Sequence, residues 1–142
     1  MGNVNVSKFH GRVTGPGGFI DLAQHTKKLI LMGTFTAGGL REHCEGGRLV
    51  IDREGKYQKF KTDIEQVTFS GDYAAAHGQH VLVVTERAVF RLTPQGLMLT
   101  EIAPGVDLER DILSQMEFRP LIADDLQLMD GRIFQPNPMG IT

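Results

Sequence analysis

The sequence predicts an α/β fold with a parallel core and an antiparallel extension, and three observations carry that prediction. Leu29-Ile30-Leu31-Met32 and His80-Val81-Leu82-Val83-Val84 are apolar runs of strand length, as expected of strands buried on both faces of a parallel sheet. Phe19, Ile20, Leu22 and Ala23 show helical spacing immediately before the first of these strands. Ala88–Leu92 and Leu97–Ile102 flank Thr93-Pro94-Gln95-Gly96, and a Pro and a Gly between two alternating segments mark a hairpin.

Taken in order, Val4 and Val6 alternate with polar neighbours and suit a short strand. Residues 10–18 form a glycine-rich loop, and the helix that follows ends near Thr26. Lys27 and Lys28 lie at its C-terminus, where positive charge is favoured. Arg48–Asp52 and Gln66–Phe69 read as short strands, with turn signals at Gly46-Gly47 and Glu54-Gly55. Tyr73–His77 reads as one or two helical turns. Asp107 suits an N-cap, because its carboxylate accepts from the first free N–H groups. Leu108, Ile112, Leu113 and Met116 then share one helical face, and Pro120 ends that segment. The tail 135–140 has turn chemistry and is expected on the surface. With 142 residues and no internal repeat or composition break, the chain suits one domain.

Composition excludes several classes. Hydrophobic residues are 41% and charged residues 23% of the chain, which is ordinary for a globular protein and excludes wholesale disorder. The net charge of −2 does not suit nucleic-acid binding, which needs clustered Lys and Arg. No apolar run approaches a membrane span of about 20 residues. The N-terminus has neither the basic nor the apolar region of a signal peptide, so the chain reads as cytoplasmic. It starts abruptly at a turn and strand, which suggests that Met1 lies within a longer gene. The single cysteine, Cys44, makes neither an internal disulfide nor a multi-thiolate metal site.

Two loops are candidate anion sites. Thr14-Gly15-Pro16-Gly17-Gly18 precedes a helix, and backbone N–H groups in such a loop can hold an anion or a developing oxyanion. On spacing alone it reads more readily as a tight strand-to-helix connection. Thr36-Ala37-Gly38-Gly39 follows a strand predicted to be parallel, at the end of the sheet where α/β folds place ligands. It reads more readily as a loop that needs positive φ. The histidine spacings (His10, His25, His43, His77, His80) do not supply a zinc ligand set. Glu45 beside Cys44 opposes a thiolate. Glu86 and Glu101 sit at strand ends, where a carboxylate can be catalytic but is more often ion-paired. Lys56, Lys59 and Lys61 near Tyr57 and Phe60 are flanked by Asp52, Glu54, Asp63 and Glu65, the pattern of an ordinary charged face.

Read together, six stretches in order resemble the C-terminal part of a family I coenzyme A transferase of the bacterial acetate or propionate type. They begin with Gly2-Asn3-Val4-Asn5-Val6-Ser7-Lys8-Phe9, Gly15-Pro16-Gly17-Gly18-Phe19-Ile20-Asp21 and Gly33-Thr34-Phe35-Thr36-Ala37-Gly38-Gly39-Leu40. They continue through Val67-Thr68-Phe69-Ser70-Gly71, Thr85-Glu86-Arg87-Ala88-Val89-Phe90-Arg91-Leu92 and Glu101-Ile102-Ala103-Pro104-Gly105-Val106-Asp107. The resemblance covers nearly the whole chain, so residues 1–142 are expected to be the C-terminal portion of a CoA-transferase domain.

That resemblance implies an open α/β/α sheet of the NagB/RpiA/CoA-transferase-like type, here incomplete. It implies transfer of CoA between a short-chain acyl-CoA and a carboxylic acid through a glutamyl-CoA thioester, with acyl-CoA as substrate and no covalent cofactor or metal. In the family the nucleophilic glutamate lies upstream of the Gly-Asn-Val-Asn-Val segment. None of Glu42, Glu45, Glu54, Glu65, Glu86, Glu101, Glu109 or Glu117 sits in a nucleophile-like motif, so no catalytic residue is assigned and the chain alone is expected to be inactive. The carried-over site is the loop beside the thioester, Gly17 and Gly18, with Gly15 and Phe19 as neighbours. Implied partners are the remaining N-terminal part of the enzyme or a separate subunit, and further copies in a homo-oligomer, but neither nucleic acid nor a membrane. The alternatives are a non-catalytic module that binds CoA or acyl-CoA, and a structural subunit that completes another chain's active site.

Overall fold

The computed structural model describes residues 2–141. Short polar side chains shape the first segment. The Asn5 carboxamide oxygen accepts from the Ser7 and Lys8 amides, both at 3.1 Å. This turn leads into a small hairpin, β1 (Lys8–Phe9) and β2 (Arg12–Val13). Helix α1 (Phe19–His25) and strand β3 (Lys28–Met32) follow. Next come β4 (Thr36–Ala37), the ribbon β5 (Arg41–Glu45) and β6 (Arg48–Arg53), and β7 (Tyr57–Gln58), which pairs with β4. The β5–β6 turn is Gly46-Gly47, at φ 57° and 77°. A two-residue turn of this hand needs positive φ at both central positions, which glycine adopts without strain.

Helix α2 (Gly71–Ala76) is capped by Ser70, whose side chain accepts from the Tyr73 amide. Strands β8 (His80–Val84), β9 (Ala88–Thr93), β10 (Gly96–Ile102) and β11 (Leu121–Leu128) complete the chain's regular structure. The main sheet has the order β11-β10-β9-β8-β3. The outer pairs β3/β8 and β10/β11 are parallel, and the inner pairs β8/β9 and β9/β10 are antiparallel. The α/β class holds, but the antiparallel hairpin is the middle of the sheet rather than an extension of it. Connection length explains this. Only residues 85–87 separate β8 from β9, whereas a parallel neighbour needs a crossover of a dozen residues or more. The link from β3 to β8 is long enough and contains α2.

The core has three parts. Phe35, Ala88, Phe90, Leu99, Ile112 and Met116 fill one, with Phe60 stacked between Phe35 and Phe90. Leu49, Val89, Ala103, Met129 and Phe134 fill a second on the other side. Ala23 of α1 and Ala74 of α2 pack with Phe69 and Val81 in the third.

Several expectations are corrected. The run Leu29–Met32 is not buried on both faces, since Ile30 is 57% and Met32 79% exposed. β3 is an edge strand: Leu29 and Leu31 pack beneath the helices, and nothing among the described residues covers the opposite face. Val4–Val6 and Gln66–Phe69 form only a single bridge, Val4 to Phe69, because the Val6 amide is taken by the Thr68 hydroxyl. The segment from Leu108 is a π-type turn (Leu108–Ile112) running into a 3-10 turn (Leu113–Gln115), not an α-helix. Its capping residue was legible: the Asp107 carboxylate accepts from the Arg110 amide at 2.7 Å. Strands β5 and β11 and the 3-10 turn Gly131–Phe134 were not anticipated. β11 carries Asp124 and Asp125 mid-strand, and its ladder with β10 is broken there by a bulge, so its alternation is lost.

Candidate functional site

The glycine-rich loop leaves the β1–β2 hairpin and enters α1. The Thr14 amide donates to the Ser7 carbonyl at 2.9 Å and the Phe19 amide to the Pro16 carbonyl at 3.1 Å. Those two bonds fix the loop at both ends. Between them, the amides of Gly17 and Gly18 have no acceptor among the described residues. Gly15 and Gly17 hold φ 78° and 55°, whereas Gly18 sits at φ −80°. A Cβ added at Gly15, Gly17 or Gly18 meets nothing within 4 Å, so the loop is open on its outer side. Phe19 differs from its neighbours: it is half-buried against the Ala23–Phe69–Val81 core and anchors the helix. The structure thus presents two free N–H groups at the predicted loop.

A second arrangement lies at the C-terminal ends of β3 and β8, and sequence reasoning missed it. Arg87 is fully buried, and its guanidinium is almost saturated. Nη1 donates to Glu54 Oε2 at 2.7 Å and to the Asp111 carbonyl at 3.1 Å; Nη2 donates to Glu54 Oε1 at 3.2 Å; Nε donates to Glu86 Oε1 at 2.7 Å. The guanidinium also lies 5.0 Å from the Phe35 ring centre. The second Glu86 oxygen accepts from the Phe35 amide at 2.7 Å. Glu54 further accepts from the Thr36 hydroxyl and the Gly55 amide. One buried cation therefore ties together four chain segments around the Thr34–Gly39 turn. Buried charges survive only when paired and hydrogen-bonded in this way.

The charges shift accordingly. Burial alone pushes the Glu54 carboxyl up, but the Arg87 and Thr36 hydrogen bonds and the Arg87 charge hold it below its ordinary value. Burial works against the charged Arg87, and its two glutamates overcome that to raise it further. Glu42 is the exception. Burial raises its carboxyl, and Glu86 adds to the effect while Arg87 opposes it. Its Oε2 is buried with no hydrogen-bond partner.

Of the other candidates, Glu86 is ion-paired rather than free, and Glu101 is a half-buried ladder residue opposite Val89 and Gln127. Cys44 is exposed. His43 Nδ1 donates to Asp52 Oδ2 at 2.9 Å. His77 and His80 line a cleft of about 440 Å³ with Gln24, Lys27 and Tyr73. Among the described residues, no three His, Cys, Asp or Glu side chains converge as metal ligands do. Lys61 pairs with Glu117 at 2.5 Å, but Lys56 and Lys59 do not join that pair. The signal that could have found the Arg87 network is weak: Thr85-Glu86-Arg87 looks like an ordinary polar turn, and Glu54 lies 33 residues earlier.

No known protein-family profile matches the sequence. Individual proteins do. The chain is 50% identical to the acetate CoA-transferase YdiF of Escherichia coli strain K12, over 98% of this chain and 26% of that protein. It is 49% identical to a caffeate CoA-transferase of Acetobacterium woodii, over 94% of this chain and 26% of that protein. The fold agrees. The crystal structure of the Escherichia coli O157:H7 acyl-CoA transferase YdiF, as a thioester complex with CoA, superposes with a TM-score of 0.96 at 48% identity, covering 99% of this chain and 27% of that one. The chain is homologous to the CoA-transferases over nearly its whole length. It spans about a quarter of the relatives that it matches. The decarboxylase AibA/AibB superposes with a TM-score of 0.58 at 15% identity, which is a likeness of fold alone. No helix among the described residues is long and apolar enough to cross a membrane.

Proposed function

We propose that this chain is the C-terminal portion of a short-chain acyl-CoA:carboxylate CoA-transferase and supplies the loop that holds the thioester oxygen. The observation that carries this reading is the pair of unengaged Gly17 and Gly18 amides in an open loop, in a chain half-identical to acetate CoA-transferases. In the reaction, a glutamate carboxylate adds to the acyl-CoA thioester carbonyl, and the carbonyl oxygen gains negative charge. Two N–H donors aimed at that oxygen stabilise the charge where it develops. Loss of CoA thiolate from that adduct leaves an acyl-glutamyl anhydride. The thiolate then attacks the glutamyl carbonyl, the acyl group departs as a free carboxylate, and a second carboxylate takes the CoA by the same steps in reverse. Splitting the exchange this way preserves the energy of the thioester. The nucleophile comes from outside this chain, from the rest of the enzyme or another subunit. The half-exposed apolar face of β3 and its unpaired edge support contact with such a partner.

The test is a titration of the chain with acetyl-CoA. Gly18→Ala fits the backbone at φ −80° with free space around it, and so does Gly18→Val. Valine, however, places its branches over the amide. The expected result is saturable binding that Gly18→Val weakens by about threefold to tenfold, the worth of one hydrogen bond to the neutral thioester carbonyl. Unchanged affinity in Gly18→Val overturns the assignment of the loop. CoA transfer by the pure chain, abolished by changing one of its own glutamates, overturns the assignment of the nucleophile.

A further inference from the structure

The Gly38-Gly39 turn carries a cluster of unneutralised cations. Arg41 and Arg53 stand directly opposite one another in the β5–β6 ladder. Like charges so placed destabilise a sheet. Arg53 is held by a neutral group: its Nε donates to the Gly39 carbonyl at 2.8 Å. Lys59 is held the same way, its Nζ donating to the Thr34 carbonyl at 2.7 Å and hydroxyl at 2.9 Å. Lys56 leaves from the same turn, its amide bonded to the Gly38 carbonyl at 3.3 Å. Among the described residues, none of Arg41, Arg53, Lys56 and Lys59 makes a salt bridge. The neighbouring acids are spent elsewhere, Asp52 on His43 and Glu54 on Arg87.

The backbone beneath these cations is bare. Gly38 and Gly39 hold φ 80° and 97°, and a Cβ on Gly39 would come within 2.9 Å of the Arg53 guanidinium. Glycine here lets the Arg53 guanidinium lie close to the main chain. Arginine and lysine held by carbonyls keep their full charge and most of their donors, the chemistry that recognises phosphate. The surface also adjoins the β1–β2 hairpin, which leads into the loop assigned above. Tyr57, which packs on Gly38 and is 58% exposed, meets His10 at the tip of the β1–β2 hairpin with ring centres 6.2 Å apart.

We propose that this surface binds the phosphate groups of acyl-CoA, the nucleotide end of the ligand whose thioester lies at Gly17-Gly18. The inference rests on the CoA-transferase reading for the identity of the phosphates. Repulsion between Arg41 and Arg53 is relieved when an anion bridges them, so the unliganded cluster is poised for one.

The test uses two ligands, the phosphoadenosine diphosphate half of CoA and acetyl-pantetheine, which lacks all phosphates. They are titrated into the chain and into Arg53→Gln/Lys56→Gln by calorimetry. The expected result is binding of the nucleotide half that the double variant weakens by at least about tenfold, with acetyl-pantetheine unaffected. Binding should also fall steeply with added salt, because the contacts are exposed. Lys56→Arg should retain it. The variant's thermal unfolding is expected to be unchanged, since it removes a like-charge pair and no ion pair. Equal affinity of the nucleotide half for chain and variant overturns the inference, as does the absence of any binding by it. Acetyl-pantetheine separates the two readings. If it binds and responds to Gly18→Val while the nucleotide half does not bind, only the phosphate surface fails. If the nucleotide half binds at the cluster and Gly18→Val leaves acetyl-pantetheine binding unchanged, only the thioester loop fails.

Discussion

Replacing Arg87 with methionine should be the most damaging single change in this chain's polar interior. The side chain is fully buried. Methionine keeps much of its volume, so the loss is mainly electrostatic. It removes two hydrogen bonds to Glu54, one to Glu86 and one to the Asp111 carbonyl. It leaves the Glu86 carboxylate, 13% exposed, and the Glu54 carboxylate, 28% exposed, without their cation. Breaking a buried pair from one side costs about 3–5 kcal/mol. Glu86 is the more buried partner, but Glu54 keeps Thr36 and Gly55 as donors and some contact with water, which places the estimate toward 3 kcal/mol. For a chain of this length that is a fall in Tm of about 10 °C. Urea denaturation at neutral pH measures it directly. The same variant compared at pH 4 should lose less, because protonated carboxyls no longer need the cation. Arg87→Met/Glu54→Gln should recover part of the loss, since it leaves one unpaired carboxylate instead of two. A loss below about 1 kcal/mol, in the range of an exposed pair, would refute the claim that this network holds the strand ends together.

Other outcomes follow from the same geometry. Glu54 and Asp111 both sit below their ordinary carboxyl values. Burial opposes the shift at Glu54 and its Arg87 and Thr36 bonds produce it, whereas the Arg110 bonds lead at Asp111. A lowered carboxyl contributes stability above its unfolded value and loses it as pH falls through the folded value, so stability should decline in acid, and Asp111→Asn should flatten that decline. Glu42 has the opposite sign: its raised carboxyl favours the native state at low pH and loses that contribution as pH rises through the folded value. Glu42→Gln should therefore raise stability at neutral pH, by about 1 kcal/mol if the unpartnered oxygen bears the usual cost, as chemical denaturation will show. Gly55→Ala should destabilise by about 1–3 kcal/mol, because its Cβ would stand 2.5 Å from the Ala37 carbonyl, whereas Gly18→Ala should leave stability unchanged in the same assay. Ile30→Lys/Met32→Lys should reduce self-association in sedimentation velocity, since it places charge on the exposed face of an edge strand.

Much of the scaffold was legible because local chemistry decides it. The β3 and β8 runs, the Pro-Gly hairpin, the Gly46-Gly47 turn and the Asp107 cap each depend on residues within a few positions of one another. What was not legible depends on distant partners. Nothing in Leu29–Met32 reveals that only one face has a covering layer. The bulged β11 hides its alternation behind Asp124 and Asp125. The loop at Gly15–Gly18 was visible from its glycines and from resemblance, but its openness is a property of the fold. Arg87 looked like a turn residue, and its meaning appears only when Glu54, Glu86 and Asp111 close around it. The lysines near Tyr57 read as a neutralised charged face, yet the fold sends Asp52 and Glu54 to other partners and, among the described residues, leaves Lys56 and Lys59 without a carboxylate while Lys61 pairs with Glu117.

We propose above all that the Gly17-Gly18 loop lies at the acyl-CoA thioester. Backbone amide NMR of the nitrogen-labelled chain during an acetyl-CoA titration tests it most directly. Saturable shifts are expected at the Gly17 and Gly18 amides, which have no acceptor among the described residues. Saturable shifts confined to other parts of the chain, with both of those amides silent, would contradict it.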